Sequence, residues 1–402
     1  MKNQLILLTI LFNSFFASSQ KKLVDTTFNV GSGFDNRVLA IESQRDGKIL
    51  VGGQFESFNG VKRNGIARLN NDGSLDLSFK TQFTFSTNTH VIAIQDDGKI
   101  LIGGLFGHPN IMYKPNEFNP CNIVRLNTDG STDTSFITRR GYKNPHVGAI
   151  CIQADGKILI GGNFDQFNGK KCNHLVRLNP NGSVDTTFRI LEKHAKIVSY
   201  IKLQKDGKII TSGSPKSYDY DRNKTIQKFY PDGTIDSTFN VGRRFRSGGY
   251  IALLENNQII ASGGINPRDT LAVCLLTRLN NDGSTDTNFT APRGFSNVVN
   301  KFVFQSDGKI IIAGDFSRIG EPKTKYMGLA RLNKDGSIDS TFNKDNEFTI
   351  NVTVALMPDN NSIIVSGDEG KFPVQYELKN IGRKYISRII LENKSKQKKK
   401  LK

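Results

Sequence analysis

Ten cationic side chains fall in the irregular stretches of this 402-residue chain: Arg139, Arg140, Lys143, Lys170, Lys171, Lys193, Lys196, Arg243, Arg244 and Arg246. Arginine forks and lysine ammonium groups at that density suit carboxylate, sulfate or phosphate ligands. The net charge of +18 is unevenly placed. Irregular segments and the lysine-rich end from Lys394 to Lys402 hold the whole excess, so the regular part is slightly acidic. A separation of this kind steers anions towards one side of a molecule. These ten residues are therefore the candidate ligand-binding face, with an acidic polysaccharide or a cell-surface protein as the expected partner. A solvated face without a ligand is the plainer alternative.

Other chemistries find less support. His90, His108, His146, His174 and His194 are scattered, without metal spacing or a Ser or Cys nucleophile motif beside them. Asn70-x-Asp72-Gly73-Ser74-x-Asp76 offers oxygens at short spacing, but a calcium loop adds a distant bidentate carboxylate, and turn chemistry explains the same letters. No metal, cofactor or catalytic residue is assigned. The enzymatic alternative is a polysaccharide hydrolase or lyase in which loop acids such as Asp35, Asp165, Asp219, Asp221, Asp269 and Asp315 converge. No recognition-helix or RNA-recognition pattern accompanies the basic groups, so specific nucleic-acid binding is not expected.

The segments that must position these residues repeat. Seven times an apolar run, a tight turn and a second apolar run ending in a small residue and Gly recur, at intervals of 50 to 58 residues. The turns begin at Asp46, Asp97, Asp155, Asp206, Asn256, Asp307 and Asn360. The Asp-Gly pairs predict two-residue hairpins. The small-Gly slot reads Gly52-Gly53, Gly103-Gly104, Gly161-Gly162, Ser212-Gly213, Gly263-Gly264, Ala313-Gly314 and Ser366-Gly367, which indicates close backbone approach. A third strand (65–69 in the first unit) and a short fourth one (75–79) complete a four-stranded antiparallel meander.

Counting the repeats exposes a seam. Arg68, Arg125, Arg177, Lys228, Arg278, Arg331 and Arg388 fill the third-strand cation slot seven times, but only six are followed by Asp-x-x-Phe. The missing copy is Asp25-Thr26-Thr27-Phe28 at the other end. An N-terminal strand that completes the last sheet removes an exposed edge. The expected fold is all-β: a seven-bladed β-propeller of four-stranded antiparallel blades, closed by the N-terminal strand.

Residues 1–19 look like a signal peptide, with Lys2, an apolar stretch from Leu5 to Phe16 and Ala17-Ser18-Ser19. The propeller then spans 20–392, and 393–402 form a lysine-rich tail expected to be disordered. Export to the envelope or the medium follows, with no transmembrane segment after cleavage. Of four cysteines, Cys151 reads as a small apolar residue, and a Cys121–Cys172 bridge is one option.

The units Val147–Gly162 and Leu175–Phe188 resemble the delta-60 repeat of secreted bacterial proteins, with Asn181 standing where that pattern has Asp. The resemblance covers nearly the whole mature chain. It implies a β-propeller and export, and no particular reaction or ligand.

Overall fold

Short runs of β-branched residues bounded by Gly, Asn and Asp give strands throughout the chain. The computed structural model describes residues 25–83, 87–106, 122–138, 146–191, 197–214, 225–242, 245, 247–264, 274–292, 295, 297–319, 324–326, 328–342, 353–367 and 386–391. Among them lie seven three-stranded antiparallel sheets and no helix. The first strands are Val38–Ser43, Thr87–Ile94, His146–Ile152, Ile197–Leu203, Ser247–Leu253, Val299–Phe304 and Thr353–Leu356. Each pairs with a second strand, which pairs with a third, so every sheet is a simple meander. Each first strand packs on that of the next sheet, and Thr353–Leu356 packs on Val38–Ser43.

The hairpin turns differ from the two-residue form. Gln44 N–H donates to Lys48 O at 2.8 Å and Gly47 N–H to Gln44 O at 3.0 Å, which leaves three residues in the loop. Gly47 alone adopts a positive φ, +84°, as a turn followed by one left-handed residue requires. Asp46 Oδ1 accepts the Lys48 N–H at 3.0 Å. Asn257 (φ +65°) and Asn360 (φ +53°) take the same left-handed place, which is why Asn serves there. The seventh turn therefore begins at Asp359, one residue before the expected Asn360, and Asn361 is an added loop residue.

The fourth strand is also shorter than expected. In the first sheet it is a single bridge, Leu69 to Leu75, and five other sheets carry the equivalent bridge. The physical reason is the recurring aspartate. Asp76 Oδ1 accepts both the Ser78 N–H (2.9 Å) and the Ser78 hydroxyl (2.6 Å), so a local turn replaces ladder pairing.

The aspartate's other oxygen anchors the sheet. Asp76 Oδ2 accepts from Arg68 Nε at 2.7 Å and Lys48 Nζ at 2.8 Å, while Arg68 Nη1 reaches Thr128 O in the next sheet. The Arg68 guanidinium lies 4.7 Å from the centre of the Phe79 ring. Phe79 is fully buried against Leu50 of its own sheet and Ile92 and Ile102 of the next. The group recurs around Asp133, Asp185 and Asp339, with Arg125, Arg177 and Arg331. Burial alone would raise the pKa of Asp76, but Lys48, Ser78 and Arg68 hold it far below the usual carboxylate range.

The last sheet draws its copy from the N-terminal segment. Asp25 N–H donates to Arg388 O at 2.9 Å, as Asp76 N–H does to Arg68 O. Arg388 Nε donates to Asp25 Oδ2 at 2.7 Å, Nη1 donates to Asn71 O at 2.6 Å, and the guanidinium sits 5.2 Å from the Phe28 ring centre. The two ends of the chain thus share one ion-paired cluster.

The small-Gly slot has two separate causes. Five first strands carry a one-residue bulge, at Leu39, His90, Gly148, Ser199 and Asn300, and the fifth strand is irregular between Gly248 and Ile251. The bulge swings a backbone carbonyl over the second residue of the slot: a Cβ on Gly162 would lie 1.9 Å from His146 O. The first residue instead meets the next sheet, where a Cβ on Gly161 would lie 2.4 Å from Val198 Cγ1. In the fourth sheet the sizes reverse, with Ser212 facing Gly248. In the fifth the pair is Ser262-Gly263, one residue earlier than the sequence pattern suggested, because Gly248 pairs with Gly263. Ser262 Oγ is anchored on Val299 O at 2.9 Å.

Candidate functional site

The seven first strands surround a cavity of about 440 Å³. The residue after each bulge lines it: Ala40, Val91, Ala149, Tyr200 and Lys301, with Tyr250 and Thr353 at the matching places of the two strands that differ. Strand alternation adds Glu42 and Lys202 two residues further on. The bulges themselves project His90 and Asn300 into the lining. A regular scaffold therefore carries an irregular wall, apolar on one side and aromatic and cationic on the other.

Tyr200, Tyr250 and Phe302 form an edge-to-face chain, with successive centroids 5.1 Å apart. Burial first, and the neighbouring Tyr250 second, push the Tyr200 hydroxyl up to about 12, so it stays a hydrogen-bond donor. Lys301 reaches past the seventh sheet to the first, donating to Glu42 Oε1 and Ile41 O, each at 3.2 Å. Its burial opposes the charge, but Glu42 keeps its pKa above the ordinary lysine value. Lys202 has its Nζ 5.5 Å from the Tyr250 ring centre.

His90 and His146 form a second feature of the same channel. Their rings meet edge to face at 4.8 Å, with His146 Nε2 3.4 Å from His90 Nδ1. Burial, and then the His146 charge, push His90 down to about 4, and burial lowers His146 as well. The pair is therefore neutral at pH 7. An unfolded histidine takes up its proton near pH 6.5, whereas folded His90 waits until about 4. Stability is fully present above 6.5 and falls as pH drops towards 4, by about 2 to 3 kcal/mol from His90. Melting temperatures between pH 7.5 and 4.5 check this: His90→Gln flattens the profile, and an unchanged slope contradicts it. The recurring aspartates, held far below their usual range, do not titrate in that window.

The ten cations expected to form the ligand face divide sharply. Lys170 and Lys171 are exposed on the second arm of a small ribbon, Gln166–Phe167 paired with Lys170–Lys171. Buried Phe167 anchors the ribbon, and Asn168 Nδ2 ties its tip to Gly182 O at 3.1 Å. Arg139, Arg140, Lys143, Lys193, Lys196, Arg243, Arg244 and Arg246 lie outside the described residues, as do Cys121, Asp219, Asp221 and Asp269. Cys172 carries a free thiol that burial pushes up to about 12. Asp35 accepts from Glu56 N and Ser57 Oγ, and Asp315 from Asn297 Nδ2, so both acids brace their own loops. No group of three or more metal-ligating side chains occurs among the described residues, and no helix there is long and apolar enough to cross a membrane.

Five of the repeats match the family model described as a β-propeller domain of unknown function, DUF5122, over residues 44–79, 95–136, 153–188, 204–239 and 305–342. These five repeats belong to that β-propeller repeat family. Comparison with curated proteins finds no relative in sequence. Solved structures of similar shape include a WD40 propeller domain and two lyases. The WD40 β-propeller domain of Doa1 is 15% identical with a TM-score of 0.56, over 92% of this chain and 97% of that one. Virginiamycin B lyase from Staphylococcus aureus is 13% identical with a TM-score of 0.53, over 90% and 98%. A streptogramin B lyase is 12% identical with a TM-score of 0.51, over 92% and 97%. At those identities the chain shares a fold with them and nothing finer.

Proposed function

We propose that this protein is a seven-bladed propeller, closed between its N-terminal segment and its last sheet, that serves as an exported, non-enzymatic binding scaffold. Its partner is an acidic glycan or a cell-surface protein, met by the basic connections that lead into the third, fourth and fifth sheets. The observation that carries this reading is internal neutralisation. Arg68 and Lys48 converge on Asp76, and the turn acids Asp46 and Asp72 of the same unit add two more carboxylates. The second unit repeats this with Arg125, Lys99, Asp133, Asp97 and Asp129, so the repeated scaffold carries no cationic excess. The excess of +18 then belongs to the connections and the tail. Lys196 and Arg246 immediately precede the first strands that begin at Ile197 and Ser247, which direct the chain into the cavity wall. The leader-like start supports export.

Retention on immobilised heparin across a salt gradient tests the face. Neutralising Arg139, Arg140, Arg243, Arg244 and Arg246 together moves elution to distinctly lower salt, since each lost contact weakens salt-dependent binding. Unchanged elution contradicts the proposed face. Release of product from an acidic polysaccharide, abolished by one loop Asp→Asn change, would favour the hydrolase or lyase instead.

A further inference from the structure

We propose that the cavity between the seven first strands is a binding site for a polyhydroxylated ring carboxylate, a sugar acid, with its carboxylate on Lys202 and its ring against Tyr200 and Tyr250. The site is distinct from the basic connections and does not depend on what they bind.

The argument begins with an imbalance of charge. Lys301 and Lys202 stand on the same wall, but only Lys301 has a carboxylate, Glu42 at 3.2 Å. Among the described residues no acid pairs with Lys202; its neighbours are the Tyr250 ring, 5.5 Å away, and the Cys151 thiol. Lys202 is half-buried on the cavity wall and has no carboxylate beside it there, so an anion entering the cavity meets an uncompensated positive charge. A carboxylate meets an ammonium through charge-assisted hydrogen bonds about twice as strong as neutral ones.

The rest of the lining selects the body of the ligand. Tyr200 and Tyr250 are held edge to face by each other and by Phe302, which gives a fixed aromatic wall. Tyr200 keeps its hydroxyl proton, Asn300 adds an amide, and His90 presents a neutral imidazole. These neutral donors and acceptors match hydroxyl groups around a ring. Small residues elsewhere on the wall, Ala40 and Ala149, leave the space open. A volume of about 440 Å³ lies within the range of ligand sites and has room for one or two sugar rings.

Calorimetric titration of the mature chain with D-glucuronate, D-glucose and a glucuronate-ended oligosaccharide tests the site. D-glucuronate binds with one-to-one stoichiometry and D-glucose at least tenfold more weakly. Lys202→Met, which keeps the stem against Tyr250, weakens D-glucuronate at least tenfold without changing the far-ultraviolet spectrum. Oligosaccharide binding that also depends on Lys202 identifies a chain end as the source of the acid; binding of the monosaccharide alone identifies a free metabolite. The variant with five neutralised connection arginines keeps D-glucuronate binding, so this site and the basic face fail separately. Equal binding of D-glucose, no binding of D-glucuronate, or an undiminished Lys202→Met overturns the proposal.

Discussion

Asp25→Ala lowers the stability of the whole protein by about 3 kcal/mol, although it alters the chain's N-terminal edge, where substitutions are usually tolerated. Removing the carboxylate strands Arg388, whose guanidinium is largely buried and bonded to Asp25 at 2.7 Å. Breaking a withdrawn ion pair from one side is costly because the remaining charge stays unpaired. The same change releases Thr27, whose N–H and hydroxyl both bond to Asp25 Oδ1. Phe28 then loses the turn that holds it under Arg388 and against the first-sheet core of Phe34, Phe55 and Phe58. Chemical denaturation measures the loss, with Asp76→Ala as the matched change inside the chain. Comparable losses mean that the seam is as well built as any other sheet junction. A loss below 0.5 kcal/mol at Asp25 beside a large one at Asp76 means that the N-terminal segment is not part of the scaffold.

Gly162→Ala is expected to cost about 3 kcal/mol or more, an unusually large effect for one methyl group. The added carbon would stand 1.9 Å from His146 O and 2.9 Å from Phe164 Cε1, and the first of these is backbone that cannot rotate away. Relief requires the bulge before Ala149 to move, which shifts His146 against His90 as well. The substitution therefore acts on stability and on the channel together. Gly169→Ala is the control, because nothing lies within 4 Å of a Cβ there and only the strain of φ +75° opposes it. A Gly162→Ala protein as stable as Gly169→Ala refutes the close approach.

Much of this architecture was legible in the repeats, and the site was not, for related physical reasons. Arg68, Asp76 and Phe79 recur because the same cluster braces sheet after sheet, with Lys228 of the fourth bonding Asn281 instead. Counting them singled out Asp25 as the partner of Arg388, a pair that is bonded at 2.7 Å. The cavity wall varies from sheet to sheet: Ala40, Val91, Ala149, Tyr200, Tyr250, Lys301 and Thr353 share a place and little else. Reading for recurrence selects scaffold residues and passes over that set. The bulges compound the problem, because one extra residue breaks the alternation that marks an inward side chain. Aligning the units on Asp46 and its equivalents would have brought Tyr200, Tyr250 and Lys301 into one column.

Two turn signals were also passed over. Asn59-Gly60 and Asn168-Gly169 are the true two-residue hairpins, with both residues at positive φ, in ribbons Ser57–Phe58 with Val61–Lys62 and Gln166–Phe167 with Lys170–Lys171. The repeated Asp-Gly pairs drew that assignment, although their loops hold three residues.

Native-state hydrogen exchange at the N-terminal segment is the most direct measurement of the account. Asp25 N–H is bonded to Arg388 O, Phe28 N–H to Asp25 O and Asn29 N–H to Asp72 O, the same pattern that Asp76, Phe79 and Lys80 make further along. Closure predicts that these three amides open only with the scaffold and are protected as strongly as their counterparts at 76, 79 and 80. Exchange at the rate of a free peptide, while those counterparts stay protected, would contradict it.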